Sequence, residues 1–269
     1  MYIVLTTDNL SSFSMLATIF IAFIIIGVLS MTSVIPVMLS IRDMYYRHKA
    51  AGMLGSRSVG RALASAEKRF ILISTVLFCV IFIPSSGIVH SPAIALKTRV
   101  REGIAFWGFF TFNAAIYSYS GQLFMCLVRG PGTATVLCSI FIGINNFFSG
   151  FVVLPQQMVG NGFWEITYWI CPGHFVYEGL VMSVFHADTV RNVIVGDGSD
   201  YYGELCIDIP DNVEDGTCEV NVSTYVNAFF GGHYQRDNIM LNAIILGCIL
   251  ALVRFLTFVA LHYLTYSGK

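Results

Sequence analysis

Charge is scarce in this sequence. Only 12% of its 269 residues are Asp, Glu, Lys or Arg, against roughly 25% in soluble globular chains. With a mean hydropathy of +0.72, that scarcity excludes an ordinary water-soluble domain and places the chain among membrane proteins. Catalytic signatures are missing too. The sequence has no G-x-x-x-x-G-K-[ST] phosphate loop, no H-E-x-x-H, no C-x-x-C and no G-x-S-x-G, and its six histidines are scattered. It therefore lacks the means to bind and hydrolyse ATP through a phosphate loop of its own. No catalytic residue, resident metal or cofactor is expected, and no nucleic-acid partner. No cleavable signal peptide is evident: the first apolar run is too long for a signal core and is read as a membrane span.

What the chain has instead is length without charge. About 20 apolar residues are needed to cross a hydrocarbon layer of ~30 Å. Ser12–Leu39, Phe70–Val89, Gly103–Val128 and Thr133–Leu154 contain no charge, and Ile239–Tyr266 carries only Arg254 and His262. Each is expected to be a helix, since lipid leaves no other partner for backbone polar groups. Pro36 is expected to kink the end of the first. The aromatics of Gly103–Val128 are read as packing or lipid-facing residues. A sixth stretch, Phe163–Phe185, contains Glu165, His174 and Glu178 and is interrupted at Pro172–Gly173. A carboxylate at a span centre costs roughly 2.5–3.5 kcal/mol, so this stretch reads as a re-entrant or interfacial helical pair. His174 and Glu178, one turn apart, are expected to bond each other or to gate an exit. Arg254 is read as paired inside the bundle, with a pathway-lining role as the alternative.

The connecting segments orient the chain. Arg42–Arg69 holds seven of the 15 basic residues, which marks the cytoplasmic side. The stretch His186–Asn238 holds ten acids, the pair Cys206 and Cys218, and the acceptor sequon Asn221-Val222-Ser223. A cysteine pair beside a sequon reads as an oxidising external loop, with two free thiols as the alternative to a disulfide. Within the basic loop, Val59, Leu63, Ala66 and Phe70 form one apolar helical stripe. That stripe suits either an interfacial helix on anionic lipid or a contact surface for a cytoplasmic motor domain.

Three segments then fall into a pattern. Tyr46-Arg47-His48-Lys49-Ala50-Ala51-Gly52-Met53, with Glu67 fifteen residues beyond Gly52, resembles the Y-R-x-x-A-A-G-M segment of pleiotropic-drug-resistance exporters, in the G subfamily of ABC transporters. Phe147–Pro155 resembles that family's F-S-G-F-x-x-P run, and Tyr168–Pro172 followed by Tyr177–Leu180 its Y-W-x-C-P…Y-G-L pattern. The resemblance runs in register from about Leu29 to the C-terminus. It departs at Arg69, where the family usually has proline.

The resemblance implies a coupling helix over Arg42–Met53, with Arg42, Tyr46, Arg47, Gly52 and Glu67 receiving motion from an ATP-binding domain. It implies a hydrophobic plug at Phe151 and Val152, a lid over the exit, a Cys206–Cys218 disulfide and a glycan on Asn221. The expected fold is an all-α integral membrane bundle, an ABC-2 type transporter membrane domain spanning 1–269. It has five transmembrane helices, a coupling region over 42–69, and a re-entrant pair with its extracellular loop over 155–238. An N-terminus on the outer side implies that the first span of the family is missing. The expected function is translocation of a hydrophobic or amphipathic small molecule, in a multi-pass protein of a eukaryotic plasma membrane. The expected partners are a nucleotide-binding domain carrying ATP and Mg, a second transmembrane half in a homo- or heterodimer, and membrane lipid. The alternative is a non-transporting partner that regulates or assembles with full-length exporters.

Overall fold

The computed structural model describes residues 9–86, 96–185, 192–196, 206, 213–214, 217–235 and 237–264. Most of the acidic stretch, and residues 87–95 of the preceding loop, lie outside the described residues. Four long or medium helices come first: α1 (Asn9–Ala50), α2 (Ser56–Ser86), α3 (Leu96–Leu127) and α4 (Pro131–Phe147). Three shorter ones follow, α5 (Pro155–Met158), α6 (Phe163–Ile170) and α7 (Pro172–Phe185). A small antiparallel sheet, β1 (Asn192–Gly196), β2 (Val213–Glu214) and β3 (Thr217–Asn221), precedes α8 (Val222–Phe229) and α9 (Asn238–Tyr263). The strands lie in the order β1-β3-β2, with Val195 opposite Cys218. An all-α reading does not include this sheet. Its strands are two to five residues long, too short for their alternation to stand out in an acidic loop.

Among the described residues, α1 and α9 are each long and apolar enough to cross a membrane by length and composition. With 42 residues, α1 reaches about 63 Å. It runs on through Pro36 without a break. The charged segment from Arg42 to Ala50 is therefore not a separate helix but the last turns of α1. By contrast α4 has 17 residues, about 25 Å.

Helix α3 is the hub, packed against α1, α2, α7 and α9. Its residues Asn113–Leu123 are all buried, without interruption. Two features bring α1 and α3 close. A Cβ on Gly27 would lie 2.9 Å from the Tyr117 ring, and one on Gly121 would lie 3.3 Å from the Met31 carbonyl. Small residues allow such approach where no hydrophobic force separates helix from lipid. The buried polar groups then bond across: Asn113 Nδ2 donates to the Phe23 carbonyl at 2.9 Å and Tyr177 Oη to that of Leu16 at 3.2 Å. Large apolar side chains point outward instead, among them Ile21, Ile25 and Leu29 of α1, Ile73, Leu77 and Ile81 of α2, and Ile140 and Ile144 of α4.

The apolar stripe expected on α2 divides between the two sides of the helix. Leu63 is buried and Val59 half-buried, but Ala66 is exposed and Phe70 is 69% exposed. The inward face instead passes through Ser56, Gly60, Leu63, Ile71, Thr75 and Cys79, with Glu67 half-buried on it. Where a helix side meets lipid, apolarity no longer marks the inside.

Candidate functional site

Two ends of the bundle carry the residues of interest. At the basic end, α1 projects beyond α3. Arg42, 4% exposed, donates to the carbonyls of Met125, Val128 and Arg129 at 2.9, 2.7 and 2.8 Å. Met125 is in the last turn of α3, and Val128 and Arg129 follow its end, where free carbonyls gather at the negative end of the helix dipole. Two turns further on, Lys49 Nζ donates to the carbonyls of Leu261 and His262 at 3.1 and 2.7 Å, and Tyr45 Oη to that of Leu261 at 3.2 Å. One helix thus caps the C-termini of two others through residues on one face.

Gly52 stops α1. Its φ of 70° is the left-handed conformation, and the Gly52 and Met53 amides donate to the Lys49 and His48 carbonyls, which makes a Schellman cap. Beyond it, Arg47, Met53 and Leu54 are exposed and Tyr46 is half-buried. Five residues then separate α1 from α2, and Ser56 Oγ lies 3.1 Å from His262 Nδ1.

Glu67 is turned into the bundle. Its carboxyl lies near the Ser118 hydroxyl and the Arg254 guanidinium. Arg254 itself donates to Gln122 Oε1 at 2.7 Å and the Gly60 carbonyl at 2.8 Å, with its guanidinium 4.6 Å from the Tyr119 ring centre. It is paired within the bundle, across α2, α3 and α9.

At the acidic end the two expected plug residues part company. Phe151 packs into its own bundle, with ring centres 4.7 Å from Phe20, 5.8 Å from Phe13 and 5.8 Å from Tyr177. Val152 is 54% exposed. Gly150, at φ 93°, turns the chain between α4 and this pair, and Tyr234 Oη donates to the Ser149 carbonyl at 3.1 Å.

The interrupted stretch is two helices joined at Cys171. Asn145 of α4 fixes the joint: its Oδ1 accepts from the Gly173 amide at 3.1 Å and from Cys171 Sγ at 3.4 Å. Helix α7 is almost wholly buried, whereas Phe163, Trp164, Ile166, Trp169 and Ile170 of α6 are exposed.

His174 and Glu178 do not bond each other. His174 lies 3.3 Å from the Cys171 carbonyl and stacks on Tyr168. Glu178 accepts from the Gln235 amide at 3.3 Å, Asn238 Nδ2 at 3.2 Å and Asn242 Nδ2 at 2.8 Å. One turn of separation makes contact possible, but stronger donors from the start of α9 take the carboxylate. The sulfurs of Cys206 and Cys218 are bonded, and Asn221 is exposed at the start of α8.

Lys49, Asn145 and Gln122 were not singled out from the sequence. Lys49 had a signal, lying seven residues after Arg42 on the same helix face. So did Asn145 and Gln122, as polar residues inside uncharged runs.

A helical bundle with an outward apolar belt and buried, hydrogen-bonded polar groups has the build of a membrane-associated domain. The family model described as ABC-2 type transporter matches residues 1–185, and the chain belongs to that family. Relatives include ABC transporter G family member 36 of Arabidopsis thaliana, 27% identical over 179 residues, which cover 66% of this chain and 12% of that protein. ABC transporter G family members 53 and 52 of Oryza sativa subsp. japonica are 25% and 24% identical, over 91% and 96% of this chain. The chain spans 14% and 16% of the length of those two rice relatives.

Proposed function

We propose that this chain is the translocation domain of an ATP-driven exporter of the pleiotropic-drug-resistance type, carrying hydrophobic or amphipathic small molecules. A separate nucleotide-binding domain, holding ATP and Mg, drives it. The observation that carries this reading is the pair of caps that α1 places on α3 and α9 through Arg42 and Lys49. Force applied to the exposed tip at Arg47, Gly52 and Met53 cannot move α1 alone, because two other helices are attached to it. Tyr46 and Glu67 belong to the same coupling surface.

In this reading five helices, α1 to α4 and α9, span the plasma membrane of a eukaryotic cell, with Arg42–Arg69 inside. The α6–α7 pair is re-entrant from the outer side, beneath a loop held by the Cys206–Cys218 disulfide and glycosylated on Asn221. Two halves, identical or homologous, meet along the outward face of α4, where Val136, Ile140, Ile144 and Phe147 lead to exposed Val152. Val152 closes the route from the opposing halves, and Phe151 supports it from behind.

The test is co-expression with an ATP-binding domain and measurement of ATP-dependent dye transport into inside-out vesicles. Transport is expected, and it should fall about tenfold or more for the double variant Arg42→Ala, Lys49→Ala if coupling carries about 1.4 kcal/mol. Val152→Asp should change leak and transport more than Phe151→Leu. Absence of transport, together with inhibition of a full-length exporter by the same chain, would favour the regulatory partner instead.

A further inference from the structure

A groove of about 290 Å³ opens between the first turns of α2 and the last third of α9. Arg57 and Arg61, one turn apart on α2, line one side, and Phe255 and Phe258 of α9 line the other. Gly60 lies between the two arginines. A Cβ there would meet only the Phe258 ring, at 4.0 Å, so the missing side chain leaves the middle of the groove open. Arg254 forms its back wall, held by Gln122 and the Gly60 carbonyl.

The charge here is one-sided. Both Arg57 and Arg61 are exposed, and among the described residues neither has an acidic partner. Helix α9 contains no acid, and α2 contains only Glu67, which is turned toward Arg254. Two guanidiniums one turn apart can bracket a phosphate by charge-assisted hydrogen bonds. The opposite wall does not suit a free anion. Phe255 is 61% exposed and continues into exposed Leu252 and Leu256 on the same helix. A site with cations at one edge and a bare apolar track leading away from them matches a molecule with a phosphate head and hydrocarbon tails.

We propose that this groove is a binding site for an anionic phospholipid of the cytoplasmic leaflet, with its phosphate between Arg57 and Arg61 and an acyl chain along Phe255. The lipid would wedge α2 against α9 beside the Arg254 pairing. The inference rests on the membrane orientation proposed above.

The test uses the full chain in phosphatidylcholine vesicles containing a trace of phosphatidylserine with a photoactivatable acyl chain, followed by peptide mapping. Crosslinking is expected on the peptide carrying Phe255 and Phe258. It should be displaced by unlabelled phosphatidylserine but not by added phosphatidylcholine. Arg57→Gln and Arg61→Gln should each weaken it about fivefold, the effect of one basic residue at a membrane surface. Gly60→Leu keeps both arginines but fills the groove, and should lower the crosslink as well. Labelling on outward α1 residues such as Ile21 should persist in every variant, which shows that the variants still fold into the bilayer.

Equal labelling by a photoactivatable phosphatidylcholine, or full labelling in the arginine variants, would overturn the site. So would displacement by soluble glycerophosphoserine at the lipid's own concentration, which would make it a free-anion site. Loss of labelling on Ile21 in the unaltered chain would overturn the membrane reading itself.

Discussion

Arg42 is a buried cation whose hydrogen-bond acceptors are all main-chain carbonyls, with Asp43 Oδ1 3.8 Å from its Nε. Its planar fork reaches the three acceptors from two nitrogens in fixed geometry, which a single ammonium nitrogen does not reproduce. Lysine at this site would satisfy fewer of them, so Arg42→Lys should not rescue. Arg42→Ala should lower stability by at least about 1.5–3 kcal/mol, the value of hydrogen bonds to a charged group. Thermal unfolding of the purified chain in detergent, followed by size-exclusion fluorescence, would measure it.

The elements differ in how far the sequence discloses them. The cores of α1 and α9 are plain in uncharged runs, because length without charge leaves a helix little alternative in lipid. Their ends are not. The charged turns from Arg42 to Lys49 prolong α1 because their cations find the carbonyl ends of α3 and α9, and no pattern within α1 reveals those partners. The break at Cys171 and Pro172 is legible from proline alone, but its anchor, Asn145, depends on the meeting of two helices. The inward face of α2 is hidden for a physical reason: with lipid on one side and protein on the other, Phe70 stays outside, while Thr75 and Glu67 turn in. In such helices the polar residues, not the apolar ones, point to the neighbours. The outer cover supplies a prediction of its own. Replacing Cys206 and Cys218 by serine removes a crosslink between residues 12 apart, worth about 2–4 kcal/mol. Limited proteolysis should then cut near β3 at lower protease concentration, with α1 and α3 unaffected.

At the scale of the whole molecule, the arrangement is a hub helix with attachments. Helix α3 is the element that all the long neighbours touch, and its own C-terminus is held by α1. A displacement at the basic end is therefore shared among three helices before it reaches the acidic end. There Glu178 ties α7 to the start of α9, so the outer cover is bound to one of the helices being moved. Breaking that tie with Glu178→Ala leaves the donors of Gln235, Asn238 and Asn242 without their acceptor. If the chain works as the exporter domain proposed above, ATP hydrolysis by the assembly should continue while dye transport drops, and parallel assays of the two would show the split.

Two of the three tryptophans in the chain, Trp164 and Trp169, sit on exposed α6, and the third, Trp107, is hydrogen-bonded to Thr75 within the bundle. Intrinsic emission is thus weighted toward a single short helix at the mouth of the protein. The molecule carries its own optical gauge there: an aqueous quencher would register any change in the exposure of α6, with no dye attached and no residue changed.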